Sequence, residues 1–330
     1  NDQKIYGGAQ DNNTIRTTTG SIDNWSPIYG GDGFQPIVDP TDTNVIYALS
    51  QRGNLGKSIN NGASFSAATS GIASGDRKNW DTPVVMDPSD SQVLYYGANR
   101  LYKTTNAAGN WDVISPDLTN GSGGGNLTFG TIISISVSPI DTTVIYVGTD
   151  DGNVWVTKDA GASWDFISAT LPNRWVTKVL ASRSDVNTVY VTFSGYRYGE
   201  NSGHVYKSEN AGASWTDVSS GLPDIPVNDI LEDAYGNLFL GTDIGVLASA
   251  DQGVNWDVLG ENLPSVVVTD MHIHEASEYL YVATYGRSMY KLDIASDILS
   301  VSNISFSETL SIYPNPASSY FNISVSETLE

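Results

Sequence analysis

The stretch TKDAGASW, residues 157–164, decides the fold because it returns. SENAGASW stands at 208–215, SADQGVNW at 249–256 and SINNGASF at 58–65. The shared pattern is Ser/Thr, any residue, Asp/Asn, any, Gly, any, Ser/Thr/Asn, aromatic. A fifth copy, TTNAAGNW at 104–111, has Ala108 where glycine belongs, and a sixth survives in degraded form as TTTGSIDNW, ending at Trp25. The closing aromatics at 25, 65, 111, 164, 215 and 256 are 40, 46, 53, 51 and 41 residues apart. A period of roughly 40–50 residues is that of a four-stranded propeller blade.

A β-branched and aromatic run precedes each box. NVIYALS, QVLYYGA, TVIYVGT, NTVYVTF, NLFLGTD and EYLYVAT read as strands, with KIYGGAQ near the start as a seventh. Earlier again come FQPIVDP, TPVVMDP, ISISVSP, VTKVLAS, VNDILED and TDMHIHE. Each blade is therefore four strands, A to D, with Pro- and Asx-containing turns such as DPTDTN (39–44) and DPSDSQ (87–92) joining A to B. The count gives seven B–C hairpins, six A strands and six D strands: the first unit lacks A and the last lacks D.

Each box position answers a folding need. Asn60, Asn106, Asp159, Asn210 and Asp251, at position three, can accept backbone N–H groups across the turn. The glycine supplies a positive φ. The hydroxyl ties back to the turn, and the aromatic buries its ring between strands. The box is structural, and no catalytic residue is assigned.

The boxes, with YGGAQDNNT (6–14) and ATYGRSMYKLDI (283–294), resemble the Asp-box (BNR-type) β-propeller family. That family includes sialidases, sortilin-type domains and two-propeller glycosidases acting on xyloglucan, and the last two stretches are most similar to its sortilin and glycosidase side. The resemblance covers about residues 1–294 and implies fold more than activity, since one fold carries many functions. A sialidase would need a Phe/Tyr-Arg-Ile-Pro segment, which this chain lacks.

After Asp293 the composition changes. Residues 295–309 are Ser-rich and read as a linker; residues 310–330 contain Tyr313-Pro-Asn-Pro-Ala317 before an alternating strand. This resembles the start of the type IX secretion C-terminal sorting domain, a small β-sandwich, without its later Gly-x-Tyr and Lys-rich end. The expected fold is all-β: a seven-bladed β-propeller with Asp-box turns over 1–294, then the linker and a partial β-sandwich sorting tail. The start, NDQKIYGGAQ, has neither the basic residue nor the apolar core of a signal peptide and reads as the middle of a repeat, so an upstream part is expected.

The chain has 330 residues, 37 acidic and 16 basic, for a net charge of −21. That balance repels phosphate backbones and anionic membranes, so neither nucleic acid nor membrane insertion is expected. No cysteine is present, which excludes disulfides and thiolate sites. A secreted or cell-surface binding module is the expected function, with type IX secretion machinery, extracellular polysaccharide or a surface protein as partners. A glycoside hydrolase fragment and a structural scaffold are the alternatives.

D–A and B–C loops share one propeller face, and the boxes lie on the other. The longest loops on the first face are 66–81, 115–130 and 194–203. Function concentrates on such loops. Trp80, Trp175, Tyr196 and Tyr198 could stack on sugar rings, with Arg77, Asn79, Arg174 and Arg197 bonding hydroxyls or carboxylates; the arginines would favour an acidic polysaccharide. Trp80 and Trp175 could equally begin A strands as core. Loop-face acids for a hydrolase are Asp11, Asp81, Asp150, Asp151, Glu200 and Asp243. His272 and His274 share one strand face without an evident third ligand, so no metal site or cofactor is assigned; the Asp-rich turns leave calcium as the alternative.

Overall fold

The computed structural model describes residues 3–123, 128–195, 203–260, 262–295, 310–313 and 322–325. Seven antiparallel sheets follow one another along the chain. Blade 1 has three strands, Ile5–Gly8, Thr14–Thr17 and Ser26–Tyr29. Blades 2 to 6 each have four. Their innermost (A) strands are Ile37–Val38, Val84–Met86, Ile132–Val137, Val176–Ala181 and Val227–Glu232. Their B strands are Ile46–Ser50, Leu94–Gly97, Ile145–Thr149, Val189–Phe193 and Leu238–Thr242. Blade 7 is Val268–His274, Tyr279–Thr284 and Met289–Asp293. This is the seven-bladed all-β propeller that the repeat predicts, and among the described residues each terminal blade has three strands.

The B strands read as continuous apolar runs because both their faces are covered. Hydrophobic clusters form between blades: Tyr47, Leu49 and Leu55 of blade 2 pack on Val84, Tyr96 and Trp111 of blade 3. Val154 and Val156 of blade 4 likewise pack on Val176, Val179 and Val191 of blade 5. Among the described residues such clusters run from blades 2–3 to blades 6–7, and none bridges blades 7 and 1.

The octapeptide turns repeat one hydrogen-bond set. In blade 4, Gly161 N–H donates to Thr157 Oγ1 at 2.9 Å, Thr157 Oγ1 donates to Asp159 Oδ1 at 2.7 Å, and Ser163 N–H donates to the same carboxylate oxygen at 2.9 Å. Asn210 and Asp251 accept the N–H four residues on in the same way. Ala108 holds the glycine position at φ 63°, and its N–H still donates to Thr104 Oγ1 at 3.2 Å. The turn therefore tolerates alanine at the cost of a left-handed backbone.

The last box residue reaches beyond its own blade. Indole N–H groups of Trp111, Trp164, Trp215 and Trp256 donate to the carbonyls of Ala68, Ile114, Ile167 and Val218, at 2.8, 3.0, 2.8 and 2.8 Å. Each acceptor directly follows the outermost strand of the preceding blade. Gly161 has a second reason to be glycine, because a Cβ there would sit 2.9 Å from the Ile114 carbonyl oxygen. Blade 2 ends its box with Phe65, which lacks the N–H and packs on Tyr29 of blade 1 with ring centroids 4.9 Å apart.

Beyond the propeller, Leu310–Tyr313 pairs antiparallel with Asn322–Val325. The linker and most of the YPNPA string lie outside the described residues.

Two outcomes test the turn. Trp164→Phe keeps the ring and loses the interblade hydrogen bond, for an expected cost of about 1 kcal/mol, and Trp164→Ala should cost about 3 kcal/mol; chemical denaturation reads both. Hydrogen bonds from Ser163 and Thr157 lower the Asp159 carboxyl to about 2. A depressed carboxyl stabilises the fold above its unfolded value near 4 and loses that contribution as pH falls toward 2. Asp159→Asn, which mimics the boxes of Asn60, Asn106 and Asn210, should lower the melting temperature at pH 7 and match wild type near pH 2. A difference independent of pH would contradict this account.

Candidate functional site at the channel mouth

The A strands run down the channel from the face that carries the D–A and B–C loops. Three of them carry a charge two residues after their first residue: Lys178 in blade 5, Asp229 in blade 6 and Asp270 in blade 7. Each follows a register irregularity, between Val176 and Lys178, Val227 and Asp229, and Val268 and Asp270. Blade 4 repeats the irregularity before Ser134. The extra residue turns this position toward the axis, where side chains of different blades meet.

Lys178 Nζ lies 2.9 Å from Asp229 Oδ1 and 4.0 Å from Asp270 Oδ1. Asp81, from the loop into blade 3, adds its field to the same lysine. Residues of blades 3, 5, 6 and 7 can converge only on the propeller axis. Asp229 and Asp270 flank one ammonium at the top of the channel, within the electrostatic reach of Asp81.

Enclosure shapes its titration. The surrounding protein pushes Asp81 up to about 6, with Lys178 pulling the other way, but its exposed side chain offsets part of that rise. Burial raises Asp270 to about 7; Lys178 opposes this, and the Asp229 and Asp81 charges add to it. Asp270 keeps 41% of its side chain open to channel water, which offsets part of that rise. Burial disfavours the charged form of Lys178, but Asp229, Asp270 and Asp81 outweigh it and raise the lysine above its ordinary value.

Exposed aromatic rings surround this mouth. Trp80 is 43% exposed, Phe129 53% and Tyr285 72%, all on loops of the same face. The Arg52 guanidinium lies 5.9 Å from the Trp80 ring centroid, and Arg52 N–H donates to the Trp80 carbonyl at 3.0 Å. Arg52 adopts φ 57° in the B–C turn of blade 2. The following Gly53 is obligatory: a Cβ would fall 1.8 Å from the Tyr96 hydroxyl, which donates to the Gly53 carbonyl.

Several residues expected to line a binding surface hold loops instead. Asn79 is buried and its side-chain amide donates to Thr131 Oγ1 at 2.8 Å. Arg174 is buried and donates to the Gly203 carbonyl at 2.6 Å. Arg77 bonds Asp117, Thr119 and the Gly130 carbonyl, which ties the 66–81 loop to the next one. The anticipated basic patch is thus absorbed, at Arg77 and Arg174, by bracing long loops that have no ladder of their own. Trp175 is half-buried at the start of its A strand. Tyr196, Arg197, Tyr198 and Glu200 lie outside the described residues. Among the acids, Asp150 is buried and accepts the Phe129 and Thr131 N–H groups, and Asp151 accepts Asn120 N–H. Among the described acids of that set, Asp81 alone contributes to the field of the axial cluster.

Lys178, Asp229, Asp270, Arg52 and Tyr285 were not singled out from sequence. Aligning VTKVLAS, VNDILED and VTDMHIH places the first three in one column, which was the available signal. His274 Nδ1 lies 2.6 Å from Ser277 Oγ, and His272 is exposed on the same strand. Among the described residues no group of three His, Asp or Glu side chains converges as for a metal.

Residues 221–243 match the model of the two component regulator propeller family. A xyloglucanase of Hypocrea jecorina (strain QM6a) is 27% identical over 195 residues, which is 57% of this chain and 19% of that protein. The chain thus spans about a fifth of the length of this curated relative. The GH74 xyloglucanase structure from Xanthomonas campestris superposes with a TM-score of 0.64 at 17% identity, over 81% of this chain and 45% of that one. YCF48 bound to D1 peptide gives 0.63 at 11% identity, over 88% and 90%. At these identities the structures attest the propeller fold.

Because Asp270 is raised in the folded state, its ionisation opposes folding above pH 7 and not below pH 4. Asp270→Asn should therefore raise the melting temperature at pH 8 by about 2 °C or more, a gain that fades toward pH 4. Equal or lower stability of the variant at pH 8 would refute the enclosure of this carboxyl.

Proposed function

We propose that the chain is a secreted or cell-surface propeller that binds a neutral, hydroxyl-rich polysaccharide across the channel mouth. The carrying observation is the set of exposed rings, Trp80, Phe129 and Tyr285, around the Lys178–Asp229–Asp270–Asp81 cluster. Aromatic faces pack on the C–H surfaces of sugars, and carboxylates accept hydroxyl protons. Carboxylates at the mouth repel an acidic chain, and two of the arginines that would have favoured one are engaged in loops. The likeness to a xyloglucanase supports a carbohydrate ligand. Residues 310–330 are read as a type IX sorting segment, and the octapeptide turns as Asp-boxes; no helix of the described residues is long and apolar enough to cross a membrane.

Hydrolysis is the second reading. Asp270, held toward its protonated form, has the character of a general acid, and Asp229, ion-paired with Lys178, is the second carboxylate beside it.

Titration calorimetry with xyloglucan oligosaccharides and with polygalacturonate tests the proposal. Binding of the neutral glycan alone is expected, with about tenfold loss in a Trp80→Ala/Tyr285→Ala variant. Binding that survives intact in the folded variant, or a preference for polygalacturonate, would refute it. Reducing ends released by wild type and lost in Asp270→Asn would favour hydrolysis.

A further inference from the structure

The octapeptide turn of blade 4 helps to build a second concave surface, on the outer rim and away from the channel mouth. Between blades 3 and 4 a groove of about 700 Å³ runs past Ile114 and Pro116 on one side and Trp155, Trp164 and the box residues 159–163 on the other. Register pairs Trp155 with Phe166, so both rings stand on one face of blade 4, and Trp164, two residues before Phe166, shares that face. The Trp155 and Phe166 rings meet edge to face with centroids 5.2 Å apart, and Phe166 is 48% exposed. Blades 3, 5 and 6 place Tyr102 with Val113, Tyr206 with Asp217 and Leu247 with Val258 at the same positions. Of these four blades, blade 4 alone sets an aromatic pair there.

The boundary between blades 2 and 3 shows what fills such a surface. There the chain itself lies across it at residues 68–73. Trp111 N–H donates to the Ser70 carbonyl at 2.9 Å, and the Trp111 indole donates to the Ala68 carbonyl at 2.8 Å. The Gly71 backbone presses so close that a Cβ would fall 2.3 Å from the Trp111 carbonyl oxygen. Ile72 packs on the cluster that holds Tyr102 and Trp111, and both of those rings are buried. In blade 4 the counterparts Trp155 and Trp164 are only half-buried, and among the described residues no carbonyl receives the Trp164 N–H. Pro116 takes the place of Ser70, two residues after the carbonyl that accepts the box indole.

The polar tips of the groove are already engaged. The Trp155 and Trp164 indoles donate to the Leu118 and Ile114 carbonyls. Both Asp159 oxygens bond within the box, and Ser115 Oγ donates to the Pro116 carbonyl and accepts Leu101 N–H. A sugar hydroxyl finds few partners here, whereas the ring faces suit an aliphatic side chain. Around the rings, Asp112, Asp159 and Asp165 are exposed against one base, Lys158. That balance attracts a cationic partner.

We propose that this groove docks a segment of a basic partner protein. The segment lays an aliphatic side chain against Trp155, Trp164 and Phe166, as Ile72 lies against Tyr102 and Trp111. It gives a carbonyl to the Trp164 N–H, and it brings lysine or arginine beside Asp112 and Asp165. The surface is independent of the glycan reading of the mouth.

The probe is a synthetic peptide that copies residues 68–73 and ends in two lysines, titrated into the whole chain and followed by amide and indole NMR signals. The Trp164 amide and the Trp155 and Trp164 indoles should shift saturably, while the Trp80 indole at the mouth stays in place. Glycine in place of the peptide's isoleucine, or Phe166→Ala in the protein, should weaken binding about tenfold. Two glutamates in place of the lysines should weaken it about as much, by a factor that shrinks in high salt. No shift at Trp164 with millimolar peptide, or equal binding of the glycine peptide, would overturn the proposal. Equal binding of the glutamate peptide would overturn the basic partner. Xyloglucan oligosaccharides that shift the Trp164 signals where the peptide does not would overturn it in favour of a second glycan site.

Discussion

The indole N–H of the box tryptophan is the contact on which the ring depends. A propeller blade is a small twisted sheet that cannot bury both faces alone, so it must be held against its neighbours at a fixed angle. Hydrophobic packing between blades supplies most of the free energy but little direction. The bond from Trp164 to the Ile114 carbonyl, repeated in blades 3, 5 and 6, sets the angle by fixing the rim of one blade to the outermost strand of the one before. The octapeptide turn presents that indole in blades 3 to 6 and a phenyl ring, Phe65, in blade 2, and its hydroxyl, Asx and glycine positions hold the turn rigid enough to do so.

The same repetition makes the axis. Identical blades deliver the same strand position to the channel each time, and the irregular pairing beside Lys178, Asp229 and Asp270 turns that position inward. On an isolated blade each of these charges would be an ordinary exposed residue. Enclosed together they set one another's protonation, with Asp270 raised and Lys178 held as a cation. Rigid strands position them, while the aromatic rim is carried by loops braced through Arg77, Asn79 and Arg174. Support and recognition are thereby divided between side chains that look alike in sequence.

The fold was legible from local chemistry. Octapeptide spacing, the apolar B runs and the Pro-Asx turns each report interactions among residues close in the chain, so their strand count held to the terminal blades. The site was less legible. Trp80 and Asp81 were named on their loop, and the structure brings both to the mouth. Arg174 and Asn79 were named with them but turn inward, because a long loop needs buried donors to satisfy its own carbonyls and hydroxyls. Nothing within one blade distinguishes the two outcomes.

Sequence alone determined what repeats: seven B–C hairpins, six box aromatics, an acidic and cysteine-free chain, and a change of character after Asp293. These are local or compositional properties, fixed by turn geometry and charge. Tertiary structure decided what converges. Lys178 and Asp270 are far apart in sequence and belong to blades that are not adjacent, yet they lie 4.0 Å apart because ring closure makes the innermost strands share one axis. It also decided that Trp111, Trp164, Trp215 and Trp256 each bond the preceding blade. Both depend on the angle between sheets, which side chains of neighbouring blades fix together and no single repeat encodes.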